Sequence, residues 1–503
     1  MPSHAGRLSE LAKLGVKVGT EGLTAAQAEK LTKILYAVQD IMAESVTQVP
    51  EARVPRHTIP LKDTKPVICK RFRYDPTKEH KLEALCDDLL NAGIIMERSS
   101  MWNSPVFLTT TSDRSSRFLV DFRVVNAKTE PLYCALPSLD EILDHVVNEK
   151  PTIFNVMDLC AGYYGIRLDE ASQPCTAFPT KNRHFQCTRL NMGYVNSGAF
   201  LTQSLYKIFA AEVRRHMIIY VDDVFMMHRD VDKHLDFLDK LFARFREFNL
   251  RLHRKKMTIA KRSANFLGFA LKAAGYTVDN FRCKIVQDYW HPRNAKKVKR
   301  FLGISNYFRQ LTRNYSKRSA PLRELMAKDA IFEWTDRQEA SFCDISDALC
   351  SPPVLGYADR NKPIRVILDA VSTVLRYILT NVHEDGSEMP LYYGERSTTR
   401  AERNYSATHL ELVALLAALK AFHSYLINTE FEIVTDHISL TYLKNFSEGP
   451  SKLARASVQL SPFKFRVCHI AGKKHSAADA ISRTENLPTL RPGTRTMTYW
   501  TSS

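Results

Sequence analysis

Met217-Ile218-Ile219-Tyr220-Val221-Asp222-Asp223-Val224-Phe225-Met226-Met227 is the stretch whose reading decides the fold. Two apolar runs separated by two residues make the pattern of a β-hairpin, and here its tip is acidic. Adjacent carboxylates in apolar surroundings repel each other and lose hydration, so they need a cation to stay ionised. Upstream, Phe154-Asn155-Val156-Met157-Asp158 forms a second apolar strand ending on a carboxylate, and Ala161-Gly162 supply small residues for the turn after it. If these strands are neighbours in one sheet, Asp158, Asp222 and Asp223 converge at one edge. That is a ligand set for two magnesium ions about 3.5–4 Å apart, which activate an attacking oxygen and stabilise a leaving one in phosphoryl transfer.

The rest of the chain agrees with a phosphate-bearing partner. Lysine and arginine number 71 against 54 acidic residues, a formal charge of +17. An excess of that size implies a polyanion, either nucleic acid or an anionic membrane. The longest apolar run, Leu412 to Leu419, is far short of the roughly 20 residues a spanning helix needs, and no secretory segment follows Met1. No membrane partner is expected. The ten cysteines are scattered, without a Cys-x-x-Cys pair or zinc spacing, which fits buried thiols in a reduced intracellular compartment, cytoplasm or nucleus.

With 503 residues and 45% hydrophobic content, two to four domains are expected. Periodicity around Leu31, Ile34 and Leu35 predicts a helix, and Val49-Pro50 and Val54-Pro55 break it. An amphipathic stretch from Lys78 to Ala92 predicts a second helix stopped at Gly93. Strands are expected at Val106 to Leu108, Phe118 to Val120 and Phe154 to Met157, and a helix from Asp232 to Phe248. Arg293 to Thr335 reads as helical and basic. Ser351-Pro352-Pro353 is the candidate boundary between two folding units, after which Ile364 to Leu368 restarts the pattern as a strand.

Tyr220-Val221-Asp222-Asp223 with Asp158-Leu159-Cys160-Ala161-Gly162-Tyr163 resembles the polymerase signature of retroelement reverse transcriptases. His57-Thr58-Ile59-Pro60-Leu61, Asn91-Ala92-Gly93-Ile94-Ile95, Ser104-Pro105-Val106, Val120-Asp121-Phe122-Arg123-Val124-Val125-Asn126, Thr176-Ala177-Phe178, Phe266-Leu267-Gly268 and Phe301-Leu302-Gly303 follow in the order of gypsy-type long-terminal-repeat retrotransposons. The resemblance implies an α+β multidomain chain, a right-hand polymerase with fingers, palm and thumb followed by a ribonuclease H-like α/β domain with a mixed sheet. It also implies a division into a leader helix and linker (1–55), fingers and palm (56–278), a helical, basic thumb or connection (279–358), a ribonuclease H-like domain (359–485) and a disordered tail (486–503). The implied substrates are an RNA template, a DNA primer, deoxynucleoside triphosphates and an RNA–DNA hybrid.

In that family's terms, Asp158, Asp222 and Asp223 are the catalytic metal ligands. Tyr163 lies beneath the sugar and rejects a 2′ hydroxyl, Arg117 binds the triphosphate, and Met192 and Gly193 line the nucleotide pocket. Lys255, Lys256, Lys296, Lys297, Lys299 and Arg300 are expected on the template and primer phosphates. Arg403-Asn404-Tyr405-Ser406, Thr435-Asp436-His437 and Ala478-Asp479-Ala480-Ile481-Ser482-Arg483 resemble the ribonuclease H domain of the same elements. By that resemblance Asp369, Glu411, Asp436 and Asp479 hold a second pair of Mg2+ ions, with Mn2+ as a substitute.

Three departures stand out. Thr110-Thr111-Ser112-Asp113-Arg114 replaces the family's Lys-Lys-Asp-Gly turn, and Leu190-Asn191-Met192-Gly193 replaces Leu-Pro-x-Gly. After Asp369, where the family is glycine-rich, the chain runs Ala370-Val371-Ser372-Thr373-Val374-Leu375-Arg376-Tyr377, with arginine at a glycine position. A degenerate or repurposed copy that binds nucleic acid without turnover is therefore the alternative reading. No aspartic protease or integrase zinc signature is found, so the chain reads as a processed segment or a fragmentary reading frame.

Overall fold

The computed structural model describes residues 3–110, 116–210, 216–327, 330–351, 355–436, 456 and 459–469. It divides into two units, Met1–Asp279 and Asn280–Ser503.

The expected hairpin is present in the first unit. Strands Met217–Tyr220 and Asp223–His228 pair antiparallel with Tyr220 opposite Asp223, leaving Val221 and Asp222 as the turn. Val221 has φ +60°. A β-branched residue there is strained, because a hairpin turn with positive φ at its first central position ordinarily takes glycine. Strand Asp223–His228 also pairs antiparallel with Ile153–Asp158, in a register that sets Asp158 opposite Asp223. The full sheet order is Lys17–Val18, Thr258–Lys261, Ile153–Asp158, Asp223–His228, Met217–Tyr220. Helix Val231–Glu247, capped by the Asp230 side chain on Lys233 N–H at 2.9 Å, buries Leu235, Leu238, Leu241, Phe242 and Phe245.

The segment read as a leader helix and linker is part of this unit. Lys17–Val18 adds a parallel strand to Thr258–Ile259. A Cβ on Gly19 would lie 2.3 Å from the Ala260 carbonyl oxygen, so only glycine lets the backbones approach this closely. Helix Ala25–Ala37 buries Leu31, Ile34 and Leu35 in the same core as Leu235 and Leu238, and Lys30 pairs with Asp236 at 2.5 Å. Periodicity reveals that a helix has an apolar face and is silent about what covers it.

Helix Pro76–Asn91 starts on the Asp75 cap and stops at Ala92, followed by Gly93 at φ +65°. Strands Val106–Thr110 and Ser116–Val120 form a separate hairpin whose connecting residues, Thr111 to Ser115, lie outside the described set.

Beneath the carboxylates runs a buried polar chain. Asn155 Oδ1 accepts from Ala260 N–H at 2.6 Å and from His234 Nε2 at 3.0 Å. His234 therefore accepts through Nδ1 from His228 Nδ1, 3.2 Å away, and both rings are neutral. Burial lowers His228 to about 4 and His234 well below its ordinary range.

The second unit opens with helices Asn280–Gln287, Ala295–Tyr307, Tyr315–Glu324 and Asp336–Cys350. A five-stranded mixed sheet follows in the order Glu388–Ser397, Val374–Val382, Ile364–Val371, Glu430–Thr435, Lys464–His469. The first three strands pair antiparallel, and the last two join in parallel. Helix Ala407–Ala421 packs Leu410 and Ala414 onto Leu375. The division between the units falls after Asp279, whereas the Pro352-Pro353 stretch read as the boundary lies within the second unit. Helix Asp336–Cys350 packs against Asn280–Gln287, and Gly356 N–H bonds the Pro390 carbonyl at 2.8 Å, so chain on both sides of the prolines is tied into this unit. No helix among the described residues is long and apolar enough to cross a membrane. Residues 486–503 lie outside the described set.

The histidine chain gives a pH prediction. The unfolded chain protonates His228 and His234 below their ordinary value of about 6.5, whereas the fold resists. Stability from these groups is thus complete above pH 6.5 and is lost as pH falls toward 4. His228→Phe is expected to cost about 1 kcal/mol at pH 7.5 for the lost hydrogen bond and to flatten the pH slope below 6.5 by up to about one proton. Urea unfolding between pH 7.5 and 4.5 measures this, and an unchanged slope refutes it.

Candidate active sites

The hairpin register places the polymerase-type carboxylates. Asp158 ends one strand, Asp223 begins the strand beside it, and Asp222 is in the turn, with its carbonyl accepting from Leu159 N–H at 2.9 Å. Burial first, and then the charges of Asp222 and Asp158, push Asp223 up to about 6. This is an acid held where excess negative charge gathers. A cation already stands in the cluster, since Lys256 Nζ is 2.8 Å from Asp158 Oδ2. Lys256 ends the short helical turn Arg254–Lys256, and its side chain is 57% exposed.

No three His, Cys, Asp or Glu side chains among the described residues are closed onto a single ion position. The donor chemistry nevertheless suits a divalent ion at Asp158, Asp222 and Asp223: oxygen ligands, surplus charge and a stand-in cation on a flexible stem.

The surroundings of this cluster are tightly built. Ala161 sits at φ +47°, and a Cβ on Gly162 would press on Leu159 and Leu201, each 3.2 Å away. Tyr163 follows, and both burial and the charge of Asp222 raise its phenol, so the ring lies within the field of that carboxylate. Gly193 has φ +89°, and its carbonyl accepts from Asn126 Nδ2 at 2.8 Å while Asn126 Oδ1 accepts from Val195 N–H at 2.9 Å. Asn126 thus clamps the segment that carries Met192, which is half-buried. Asn191, standing where the resemblance expects proline, is buried and bonded to Tyr164 Oη at 3.2 Å and Cys187 Sγ at 3.2 Å. Sequence reasoning missed the clamping role of Asn126 and the partners of Asn191, because those partners are set by tertiary packing. Arg117 lies opposite Thr109 in its hairpin, and its side chain is outside the described set.

The basic residues fall into two groups. Lys255 pairs with Glu44 and Lys256 with Asp158, so both of these lysines, expected on template and primer phosphates, meet a carboxylate here. Lys296, Lys297, Lys299 and Arg300 are all exposed on helix Ala295–Tyr307, whose other face buries Val298, Phe301 and Leu302.

In the second unit, Asp369, Glu411 and Asp436 come within electrostatic range of one another. Glu411 is 1% exposed. Its Oε1 accepts from Ala370 N–H at 3.0 Å and its Oε2 from Thr435 Oγ1 at 3.2 Å. Burial chiefly, with the charges of Asp436 and Asp369, pushes it up to about 7. Asp369 is held by Arg376 Nη1 at 2.7 Å. Asp479 lies outside the described residues.

Comparison with known proteins bears on both sites. Residues 111–271 match the family described as reverse transcriptase (RNA-dependent DNA polymerase), and residues 334–433 match the RNase H-like domain found in reverse transcriptase. The chain is 30% identical over 460 residues to the retrovirus-related Pol polyprotein from transposon 412 of Drosophila melanogaster, covering 90% of this chain and 37% of that protein. It is 27% identical over 470 residues to the Tf2-3 polyprotein of Schizosaccharomyces pombe, covering 91% of this chain and 35% of that protein. The chain thus spans well under half the length of these relatives. A foamy viral protease–reverse transcriptase solved in complex with dsDNA superposes with a TM-score of 0.78 at 22% identity, over 92% of this chain and 97% of that one. The same viral protein with an RNA/DNA hybrid gives 0.75 at 21% identity, over 99% and 65%. These likenesses show the fold, a right-hand polymerase followed by a ribonuclease H-like domain. Residues 111–271 thus carry a reverse transcriptase domain and residues 334–433 a ribonuclease H-like domain, and the relatives similar to the chain are retrotransposon Pol polyproteins such as that of transposon 412. Both families generally use divalent metal ions.

Repulsion among the three carboxylates makes a prediction about stability. Asp223→Asn is expected to stabilise the metal-free protein by about 1 kcal/mol at pH 7.5, because it removes a charge that burial and two like neighbours oppose. Urea unfolding in EDTA measures it, and destabilisation would mean that Asp223 is structural.

Proposed function

We propose that this chain is an RNA-directed DNA polymerase whose primer 3′ hydroxyl attacks the α-phosphate of a deoxynucleoside triphosphate, with a linked ribonuclease H acting on the RNA–DNA hybrid. The observation that carries the polymerase reading is the register of Asp158 against Asp223, with Asp222 in the adjoining turn and a displaceable ammonium on Asp158. Asp158, Asp222 and Asp223 would hold two Mg2+ ions, which lower the pKa of the attacking hydroxyl and neutralise charge on the leaving pyrophosphate. Lys256 pairs with Asp158 until then, and its long stem lets it turn to a phosphate afterwards. Tyr163 packs beneath the sugar, where a 2′ hydroxyl would collide with its ring. Met192 and Gly193, held by Asn126, form the floor of the nucleotide pocket. Arg117 takes the triphosphate, and the exposed row Lys296, Lys297, Lys299 and Arg300 takes template and primer phosphates with salt-dependent, sequence-independent affinity. In the second unit, Asp369, Glu411, Asp436 and Asp479 would hold the metal that serves hydrolysis of the RNA strand.

Two measurements test the polymerase reading. Primer extension on an RNA template with Mg2+ should proceed with the natural chain and fall at least about a thousandfold in Asp223→Asn, as expected when a ligand that positions both reacting oxygens loses its charge. Extension no greater than that of the variant would leave the alternative, a copy that binds hybrid without turnover. Tyr163→Val should raise incorporation of ribonucleotides relative to deoxynucleotides by about 10- to 100-fold, the discrimination that one small steric group supplies. An unchanged ratio would remove Tyr163 from the sugar pocket.

A further inference from the structure

Both carboxylate sites have a basic side chain on a strand-borne aspartate, Asp158 at the end of its strand and Asp369 two residues before the end of its own, and the two differ in how that side chain is held. Lys256 reaches Asp158 from a short turn and is more than half exposed. Arg376 reaches Asp369 from the middle of a sheet. Asp369 and Arg376 are direct partners in the antiparallel pairing of Ile364–Val371 with Val374–Val382. Arg376 is at once the direct partner of Glu395 on strand Glu388–Ser397, so the three residues form one row across three strands and point to one face. Its side chain is 22% exposed, against 59% for Asp369, and its Nε is buried without a hydrogen-bond partner among the described residues. Glu395 Oε2 is likewise buried without one, and its Oε1 is taken by Ser316 N–H. The guanidinium is therefore shielded, flanked by acids on both sides and fixed by strand register.

We propose that Arg376 is a resident counter-ion of the ribonuclease H-like site, holding Asp369 in the place of a divalent cation and raising the metal concentration at which this site fills above that of the polymerase site. The proposal rests on the reading of Asp369, Glu411 and Asp436 as metal ligands. Two physical effects act in the same direction. The bond to Arg376 occupies an Asp369 oxygen that a metal would need. A fixed positive charge next to the ligand also repels a divalent ion, and at about 5 Å, even with water-like screening, that repulsion weakens binding about tenfold. Arg376 is less than half as exposed as Lys256, and strand pairing on both sides limits its freedom to swing clear. The row leaves it only the Glu395 side as an alternative, so filling the site means moving a guanidinium within a packed sheet. The consequence is an ordering of the two activities: polymerisation runs at metal concentrations that leave the hybrid uncut.

The test uses the full chain in an Asp158→Asn, Asp223→Asn background, so that Mn2+ counted by electron paramagnetic resonance reports the second unit. Arg376→Gln in that background should bind Mn2+ about tenfold more tightly, and Arg376→Lys, which keeps the charge, should stay near the parent. Equal affinity in the Gln variant and the parent overturns the proposal. Adding Asp369→Asn to the Gln variant separates the two failures. If Mn2+ binding then persists unchanged, the ligand reading itself is wrong; if it is lost, the ligand reading stands and only the role of Arg376 is in question. Should Arg376→Gln fail to melt cooperatively, the natural arginine still decides the matter. Mn2+ should bind the polymerase-site variant at least several-fold more weakly than it binds an Asp369→Asn chain whose polymerase carboxylates are intact, and equal affinities refute the proposal.

Discussion

The pairing of Asp223–His228 with Ile153–Asp158 is the constraint on which the first unit depends. Six successive residue pairs, from Asp223 with Asp158 to His228 with Ile153, fix one register. A slip of a single residue would turn every side chain of one strand to the opposite face and part the carboxylates. The apolar partners in the middle of the ladder tolerate exchange for one another, so they specify register weakly. Asn155 does not. Its Oδ1 is bonded at once to the neighbouring strand and to His234, which in turn holds His228. A slipped ladder would leave these buried polar atoms without partners, at a cost of a few kcal/mol. The carboxylate edge is thus located by a polar pin three residues below it.

With the edge fixed, the two sites handle surplus negative charge in different ways. Asp223 is pushed up by burial first and then by the charges of Asp222 and Asp158, with Lys256 acting the other way. Glu411 is more deeply buried, and there the peptide N–H of Ala370 and the hydroxyl of Thr435 oppose the burial. The first arrangement leaves charge to be neutralised from outside, while the second is partly satisfied from within.

What the sequence revealed was local. The hairpin, its acidic tip, the helix ending before Gly93 and the strand ending on Asp158 each depend on residues a few positions apart, so alternation, periodicity and turn chemistry suffice to find them. The ordered motifs supplied the family. Whatever depended on distant partners stayed hidden. Lys256 reads as one of a basic run and is in fact bonded to an aspartate 98 residues away, and Lys255 reads the same way and meets Glu44. Residues 1–55 read as a leader helix and linker because nothing in their own pattern says that Gly19 lies against Ala260. Asn191 reads as a lost proline, yet it makes two buried hydrogen bonds that proline could not.

The contrast among the basic residues bears on the proposed binding of nucleic acid. A lysine already paired with a carboxylate must break that contact before it can neutralise a phosphate, so its net contribution to affinity is the difference between two similar interactions. An exposed lysine without an acidic partner releases the counter-ions of the phosphate it meets, and its contribution is not offset in this way. Among the described residues Lys296, Lys297, Lys299 and Arg300 are of the second kind, on a helix whose buried face of Val298, Phe301 and Leu302 fixes the direction in which they project. Lys256 is of the first kind: its ammonium lies on Asp158, so a divalent ion at the proposed site and a phosphate would each have to draw it from that carboxylate.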